Sequence, residues 1–422
     1  MTTSATQGID PAKVQDLHVP MRRVTPTDAH YFFGYYDKTP WDASGRYVLA
    51  CRIGFADRQP LAGEELTLGM IDLATTQNAT DGGRFIELDR TSAWSWQQGT
   101  MFQWLGPAGD RQVIYNRIVA GRPVGIIRDV FTGQTQTLPM PIYTLTRDGR
   151  RAVSLDFGRL HRLRPGYGYA SVAERNPDEL APADNGVFVF DLPTQPRIGV
   201  TGLHQADQPR LIASLAQLAQ IQPREEMRNV PHWVNHLQID PTGTWAAFLH
   251  RWPCQGNPNF RTRLMCIRLD GSSSGGDLRL VCDTPMFSHY DWRDDHTILA
   301  YAADPDGKRA FHLIDIHSGA MQSIGDDVLP QTDGHCSYSP DRNWILNDTY
   351  PDRERLITLM LYRPADQRRV DLARIYSSAV SNWAYRCDLH PRWNRDGTQI
   401  CIDANFENTR GVYILDVTSI TR

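Results

Sequence analysis

Four histidines stand at the openings of four short apolar hairpins, in "NHLQIDPTGTWAAFLHRW", "SHYDWRDDHTILAYA", "DGHCSYSPDRNWILND" and "LHPRWNRDGTQICIDA". His236, His335 and His390 each precede the turn glycine, or the residue in its place, by seven positions, and His289 sits at nearly the same offset. Imidazole titrates near neutrality, so such a side chain can take a proton from a substrate or, in its neutral form, ligate a metal. A lone histidine here would be an ordinary turn or core residue. Four in register point to a shared site that holds a metal, an acidic ligand or both. His18, His204, His296, His312 and His317 lie outside the register and read as surface or strand residues.

Other polar side chains recur near the same offsets. Lys38 holds the seven-residue spacing in "HYFFGYYDKTPW", next to Tyr35, Tyr36 and Asp37. "SWQQGTMFQW" adds Gln97, Gln98 and Gln103 to an aromatic run. Arg159, Arg162 and Arg164 cluster in "LDFGRLHRLRPGYGYA", while Arg251 and Arg386 stand alone beside histidine hairpins. Guanidinium forks grip carboxylates bidentately, and aromatic faces suit the apolar face of a sugar ring. Arg159, Arg162, Arg251, Arg386, Tyr35 and Gln98 are therefore the substrate-binding candidates. Carboxylates that end the second strands, Asp348 and Asp403, could add ligands or fix histidine tautomers. No serine elbow, phosphate-binding loop or dinucleotide loop is present; "GPAGD" and "GSSSGG" read as turns. A glycosidase pair drawn from Asp37 with Asp348 or Asp403 is an alternative, though no pair stands out.

What must position these residues is a repeat. Seven units share one hairpin, from "YYDKTPWDASGRYVLACRI" to "LHPRWNRDGTQICIDA", and most are followed by a second strand pair such as "FHLIDIHSGAMQSIG". A period of about 40 to 55 residues with four short strands per unit is the pattern of propeller blades. The expected fold is all-β, a seven-bladed β-propeller with four-stranded antiparallel blades over residues 31–422. Residues 1–30 form an arm, with Asp16 to Val24 as a strand closing the last blade, and Pro209 to Gln222 is a helical insertion. First strands line the axis of a propeller, so the four histidines should meet on one rim.

Composition narrows the class further. The 422 residues are 41% hydrophobic and carry a net charge of -4, which argues against nucleic acid or an anionic membrane as partner. Seven scattered cysteines, an odd number with no CxxC pair, fit a reducing compartment. The first twenty residues lack the apolar core of a signal peptide, and the sequons at Asn78 and Asn347 carry no weight without secretion. The expected location is the cytoplasm.

The axial-histidine hairpins, above all "NHLQIDPTGTWAAFLHRW", "SHYDW", "DGHCSYSPDRNWILNDTYPD" and "DLHPRWNRDG", resemble those of the oligogalacturonate lyases, polysaccharide lyase family 22, over roughly Tyr31 to Val417. The resemblance implies a cytoplasmic enzyme that cleaves short uronides by β-elimination. It also implies a divalent metal, manganese first, with calcium and zinc as alternatives. His236 matches the base position, and His289 and His335 match the metal-bearing blades. In place of the family's glutamine-histidine-histidine cluster the chain has Gln331, Asp333 and His335, with His390 one blade later. On that footing His289, His335 and His390 are the expected ligands and His236 the base. Lys38 or Tyr36 is the expected acid, and an acidic oligosaccharide the partner. The alternatives are a metal-assisted hydrolase or isomerase on the same scaffold, or a non-catalytic interaction platform.

Overall fold

Most of the repeated hairpins are tied off by a turn side chain. In "DPTG" the Asp240 carboxylate accepts hydrogen bonds from the backbone N–H groups of Thr242, Thr244 and Trp245, at 3.0, 2.7 and 2.6 Å. Asp42 accepts from Tyr47 N–H at 2.8 Å, and Asn394 from Gln399 N–H at 3.0 Å, in equivalent turns. Short polar side chains that bond forward to the backbone set such turns. The apolar second strands that follow, such as Tyr47–Ile53 and Trp245–Pro253, are buried along most of their length.

The computed structural model describes residues 10–75, 82–193, 208–254, 259–270 and 277–422. Asn78, His204 and "GSSSGG" fall outside them. The described strands form seven sheets of four-stranded antiparallel type arranged as seven blades, the expected propeller. The first strands of blades four and five, Trp233–Ile239 and Phe287–Trp292, carry His236 and His289.

The arm closes the ring in two pieces. Met21–Arg23 pairs antiparallel with Gly411–Asp416, completing blade seven as expected. Val14–Asp16 instead lies parallel to Arg368–Tyr376, a fifth strand on blade six. Between them His18 takes a positive φ of 46°, and Pro20 has no N–H to offer a ladder.

Two expectations need correction. The segment Pro209 to Gln222 is not an insertion: Arg210–Ser214 is the outer strand of blade three, and only Leu215–Gln220 is helical. Ser214 and Gln217 form a capping box there, which starts the helix where the strand stops. In blade three the second strand ends at Ser154, and Phe157–Leu163 is a helix capped by Asp156, whose side chain accepts from Gly158 and Arg159 N–H. That helix, not a strand end, carries Arg159 and Arg162.

Among the described residues no helix is long and apolar enough to cross a membrane, and all seven cysteines are free.

Candidate active site

The backbone is irregular where the histidines sit. Blade four shifts register between Asn235 and Gln238, and blade five between Phe287 and Tyr290. Such bulges re-aim side chains out of the regular alternation. His236 and His390 also adopt positive φ, 56° and 41°, a conformation that costs non-glycine residues energy and concentrates at functional sites. Gly334 precedes His335 because a Cβ there would lie 1.8 Å from the Asp348 carbonyl oxygen.

These devices bring all four histidines around Tyr35. Its ring centroid lies 5.0 Å from that of His236, 5.1 Å from His390, and 6.5 Å from both His289 and His335. Neighbouring histidine rings touch in sequence, 4.3 Å between His289 and His335 and 4.5 Å between His335 and His390. All are buried.

His236 is held from every side. Its backbone N–H donates to Tyr143 Oη at 2.9 Å and Asn235 Oδ1 at 2.7 Å, and its carbonyl accepts from the Tyr290 hydroxyl. Its Nε2 lies 2.9 Å from Tyr36 Oη. The Tyr36 hydroxyl donates to the Tyr290 carbonyl at 2.8 Å and accepts from Tyr290 N–H at 3.0 Å. With that single proton committed, the short Tyr36 contact favours the proton on Nε2 of His236 over the longer 3.4 Å approach of Gln238 Nε2, which leaves Nδ1 as the acceptor 3.4 Å from Tyr35 Oη. Burial, with His289, Arg251 and Lys38 adding positive charge, holds the His236 pKa well below its usual value. The ring is neutral at pH 7, with its lone pair toward Tyr35.

Across the axis lies a metal-type cluster. His335 donates from Nδ1 to Asp348 at 2.9 Å, and His289 from Nδ1 to Asp333 at 3.0 Å, so each turns a bare Nε2 away from its carboxylate. Such carboxylate-histidine pairs commonly orient metal ligands. The Nε2 atoms of His335 and His390 are buried without hydrogen-bond partners, and each lies 3.9 Å from Asp388 Oδ2. One ligand atom each from His335, Asp388 and His390 lie within 4.8 Å of one another. Two orphaned imidazole nitrogens facing one carboxylate fit a divalent cation by donor type and spacing. His289, the third expected ligand, stands beside this triad with its ring centroid 4.3 Å from that of His335, and Asp388 is the donor that sequence reasoning did not name. The two histidines of the triad are shifted in opposite directions. For His335, Asp348, Asp388 and Asp333 overcome burial and raise the pKa, whereas burial beside His335 and Arg392 drops that of His390 well below normal.

The arginines separate into two kinds. Arg159 is consumed by the fold: it donates to Glu174 and to the carbonyls of Asn176, Leu180 and His232. Arg162 also pairs with Glu174. Arg159 spends its guanidinium on the fold, whereas Arg162 is part exposed and its Nη1 has no acceptor among the described residues; both pair with Glu174 from a helix rather than from the strand end expected of them. Arg386 grips Asp388 through Nε at 2.8 Å and Nη2 at 2.5 Å, and reaches Tyr167 Oη at 3.3 Å. Arg251 is different. It is buried, donates to Thr262 Oγ1 at 3.2 Å, and has no carboxylate partner among the described residues. Burial, with Arg164 nearby, lowers its pKa to about 10, so it stays charged. Arg251 and Arg164 both stack on Phe260, at 4.7 and 4.6 Å, and Arg164 also on Trp383 at 4.2 Å.

Lys38 pairs with its neighbour Asp37 at 2.8 Å, over the ring of Tyr143. Gln98 donates to Tyr143 Oη at 2.6 Å, and Tyr143 in turn donates to Asn235 Oδ1 at 3.1 Å, so Gln98 acts through the chain that holds His236. Sequence reasoning missed Asp388, although the alternation Arg386, Asp388, His390 was visible. It also missed Tyr143 and Asn235, which carry no signal until the fold joins them.

No known family profile matches the chain, and no curated protein matches it. Among solved structures, an oligogalacturonate lyase in complex with manganese is similar with a TM-score of 0.64 at 15% identity, covering 96% of this chain and 95% of that one. An oligogalacturonate lyase from Vibrio parahaemolyticus gives 0.62 at 13% identity, with 94% of each chain covered. A puromycin-hydrolyzing peptidase of Mycobacterium tuberculosis gives 0.53 at 14% identity, matched over 56% of its own length. At these identities the likeness establishes a shared propeller fold, common to lyases and peptidases.

Proposed function

We propose that the chain is a metal-dependent lyase that cleaves uronic-acid-containing oligosaccharides by β-elimination. The observation that carries this is a single constellation. A neutral histidine with a bare Nδ1, a cluster of orphaned metal-type donors and a buried arginine without a carboxylate all surround Tyr35. Elimination next to a carboxylate needs a base and charge neutralisation, which these groups offer, and a proton donor, which Tyr35 between them offers.

The roles follow from the contacts. Arg251 receives the substrate carboxylate, with Arg164, Phe260 and Trp383 bordering the sugar. His236 Nδ1 takes the C5 proton, and the C4–oxygen bond breaks as the C4–C5 double bond forms. Tyr35 protonates the leaving oxygen, and the proton on His236 returns to Tyr35 through their contact. Lys38 and Tyr36 fit the acid role less well, because Lys38 faces Asp37 and the Tyr36 proton is bound to Tyr290. Tyr36 instead sets the His236 tautomer. His335, His390 and Asp388 would hold the cation, with Asp348 and Arg386 behind them. When bound there, a divalent ion would draw charge from the substrate carboxylate and so acidify its C5 proton.

Product masses test the reaction class. Elimination gives fragments whose masses sum to that of the parent oligosaccharide, whereas hydrolysis gives the parent plus one water. A sum with the added water would sink the lyase and leave a hydrolase in the same funnel.

A further inference from the structure

Beside the axial site, between blades one and seven, lies a cavity of about 560 Å³. It is bounded by the ends of hairpins that open on the same face as the histidines: Gly54 to Asp57 after Tyr47–Ile53, Asn405 to Arg410 before Gly411–Asp416, and the loop after Arg368–Tyr376. Its charged floor is Arg410, only 4% exposed. One nitrogen of that guanidinium, Nη2, donates to the Tyr385 carbonyl, and the plane stacks 4.1 Å over Trp96. Neither Nε nor Nη1 has an acceptor among the described residues, and no carboxylate pairs with it. A guanidinium with free donors at the edge of a cavity can receive an anion.

The remaining lining is that of a hydroxylated ligand. Asn405 turns Oδ1 to Ser378 N–H at 3.2 Å, leaving its NH₂ without an acceptor among the described residues. Asn408 and Asp57 add an amide and a carboxylate, suited to sugar hydroxyls, and Phe55 and Tyr385 supply apolar wall. Tyr385 is also the neighbour of Arg386, the residue that grips Asp388 at the axis, so one loop serves both places.

We infer that this cavity is an off-axis subsite that binds the carboxylate of a further uronosyl residue on Arg410. The inference rests on the lyase reading for its ligand class. It extends the site from the bond that breaks to a distant sugar of the same chain, and so sets a preference for longer oligomers.

Gly54 allows a clean test. It lines the cavity, its φ is not positive, and a Cβ on it would meet nothing within 4 Å, so Gly54→Phe fills the space without straining the fold. Titration calorimetry with D-galacturonate should give two equivalents bound to the parent chain and one to Gly54→Phe or Arg410→Gln, with an unchanged melting temperature for Gly54→Phe. D-galactose should not compete at the lost site. The KM for a tetragalacturonate should rise about tenfold in Gly54→Phe, the loss of one good contact, while kcat and the KM for the dimer hold. Unchanged stoichiometry and KM in Gly54→Phe, or equal binding of galactose, would overturn the subsite. If the parent turns over no uronide yet loses one galacturonate equivalent in Gly54→Phe, the subsite stands and the lyase falls.

Discussion

At the scale of single residues, the site works through hydrogen bonds that decide which imidazole nitrogen is free. Asp348 accepts from both the backbone N–H and Nδ1 of His335, so it fixes position and tautomer together. Asp348→Ala should lower manganese affinity about 10- to 100-fold, the usual effect of losing such a partner, as read by calorimetric titration. Affinity equal to that of the parent would remove His335 from the ligand set. Titration offers a second check. Burial holds His236 and His250 well below the usual histidine range in the folded protein, so the unfolded chain binds protons first as the pH falls. Their contribution to stability is full above about pH 6.5 and is lost on acidification below it, by up to about 1.4 kcal/mol per pH unit for each group. Denaturant unfolding of the metal-free protein from neutral to mildly acid pH should show that decline. A flat profile would mean that the folded rings take up protons as readily as the unfolded ones.

At the scale of elements, the propeller supplies one rim and local irregularities aim the side chains at it. Gly334→Ala would drive a Cβ into the Asp348 carbonyl, 1.8 Å away, and should cost about 1 to 3 kcal/mol as the strand shifts. It should weaken metal binding at the same time. A variant with unchanged melting and metal affinity would show that the approach is not needed. This level also divides what could be read from the sequence. The hairpin repeat was legible because most turns carry an Asp, Asn, Ser or Thr that bonds forward to the backbone, and the convergence of His236, His289, His335 and His390 followed from it. The register shifts in blades four and five were not legible, because a bulge exists only relative to the partner strand. Arg159 and Arg162 were misread for a related reason. "LDFGRLHRL" continues an apolar strand, and only Asp156 as a cap turns it into a helix whose arginines serve Glu174. Asp388 shares its alternation with many structural carboxylates, so its place between two bare imidazoles had to come from the fold.

At the scale of the whole molecule, closure is what keeps seven blades at one radius and thus the histidines within ring contact. Met21–Arg23 completes blade seven, and Val14–Asp16 covers the outer edge of blade six. Removing residues 1–24 exposes both edges and unburies Val24's place in the core, so melting should fall by several degrees, at roughly 1 °C per kcal/mol for a chain this large. A truncated chain that melts with the parent would show that the ring closes without its arm. Purified protein should be mixed with a panel of uronic-acid oligosaccharides, with manganese and then with a chelator, while ultraviolet absorbance is followed. A rise from the new C4–C5 double bond, abolished by the chelator and absent in His236→Ala that still binds manganese, is the predicted result. A flat trace across the panel with metal bound would contradict a lyase in this funnel.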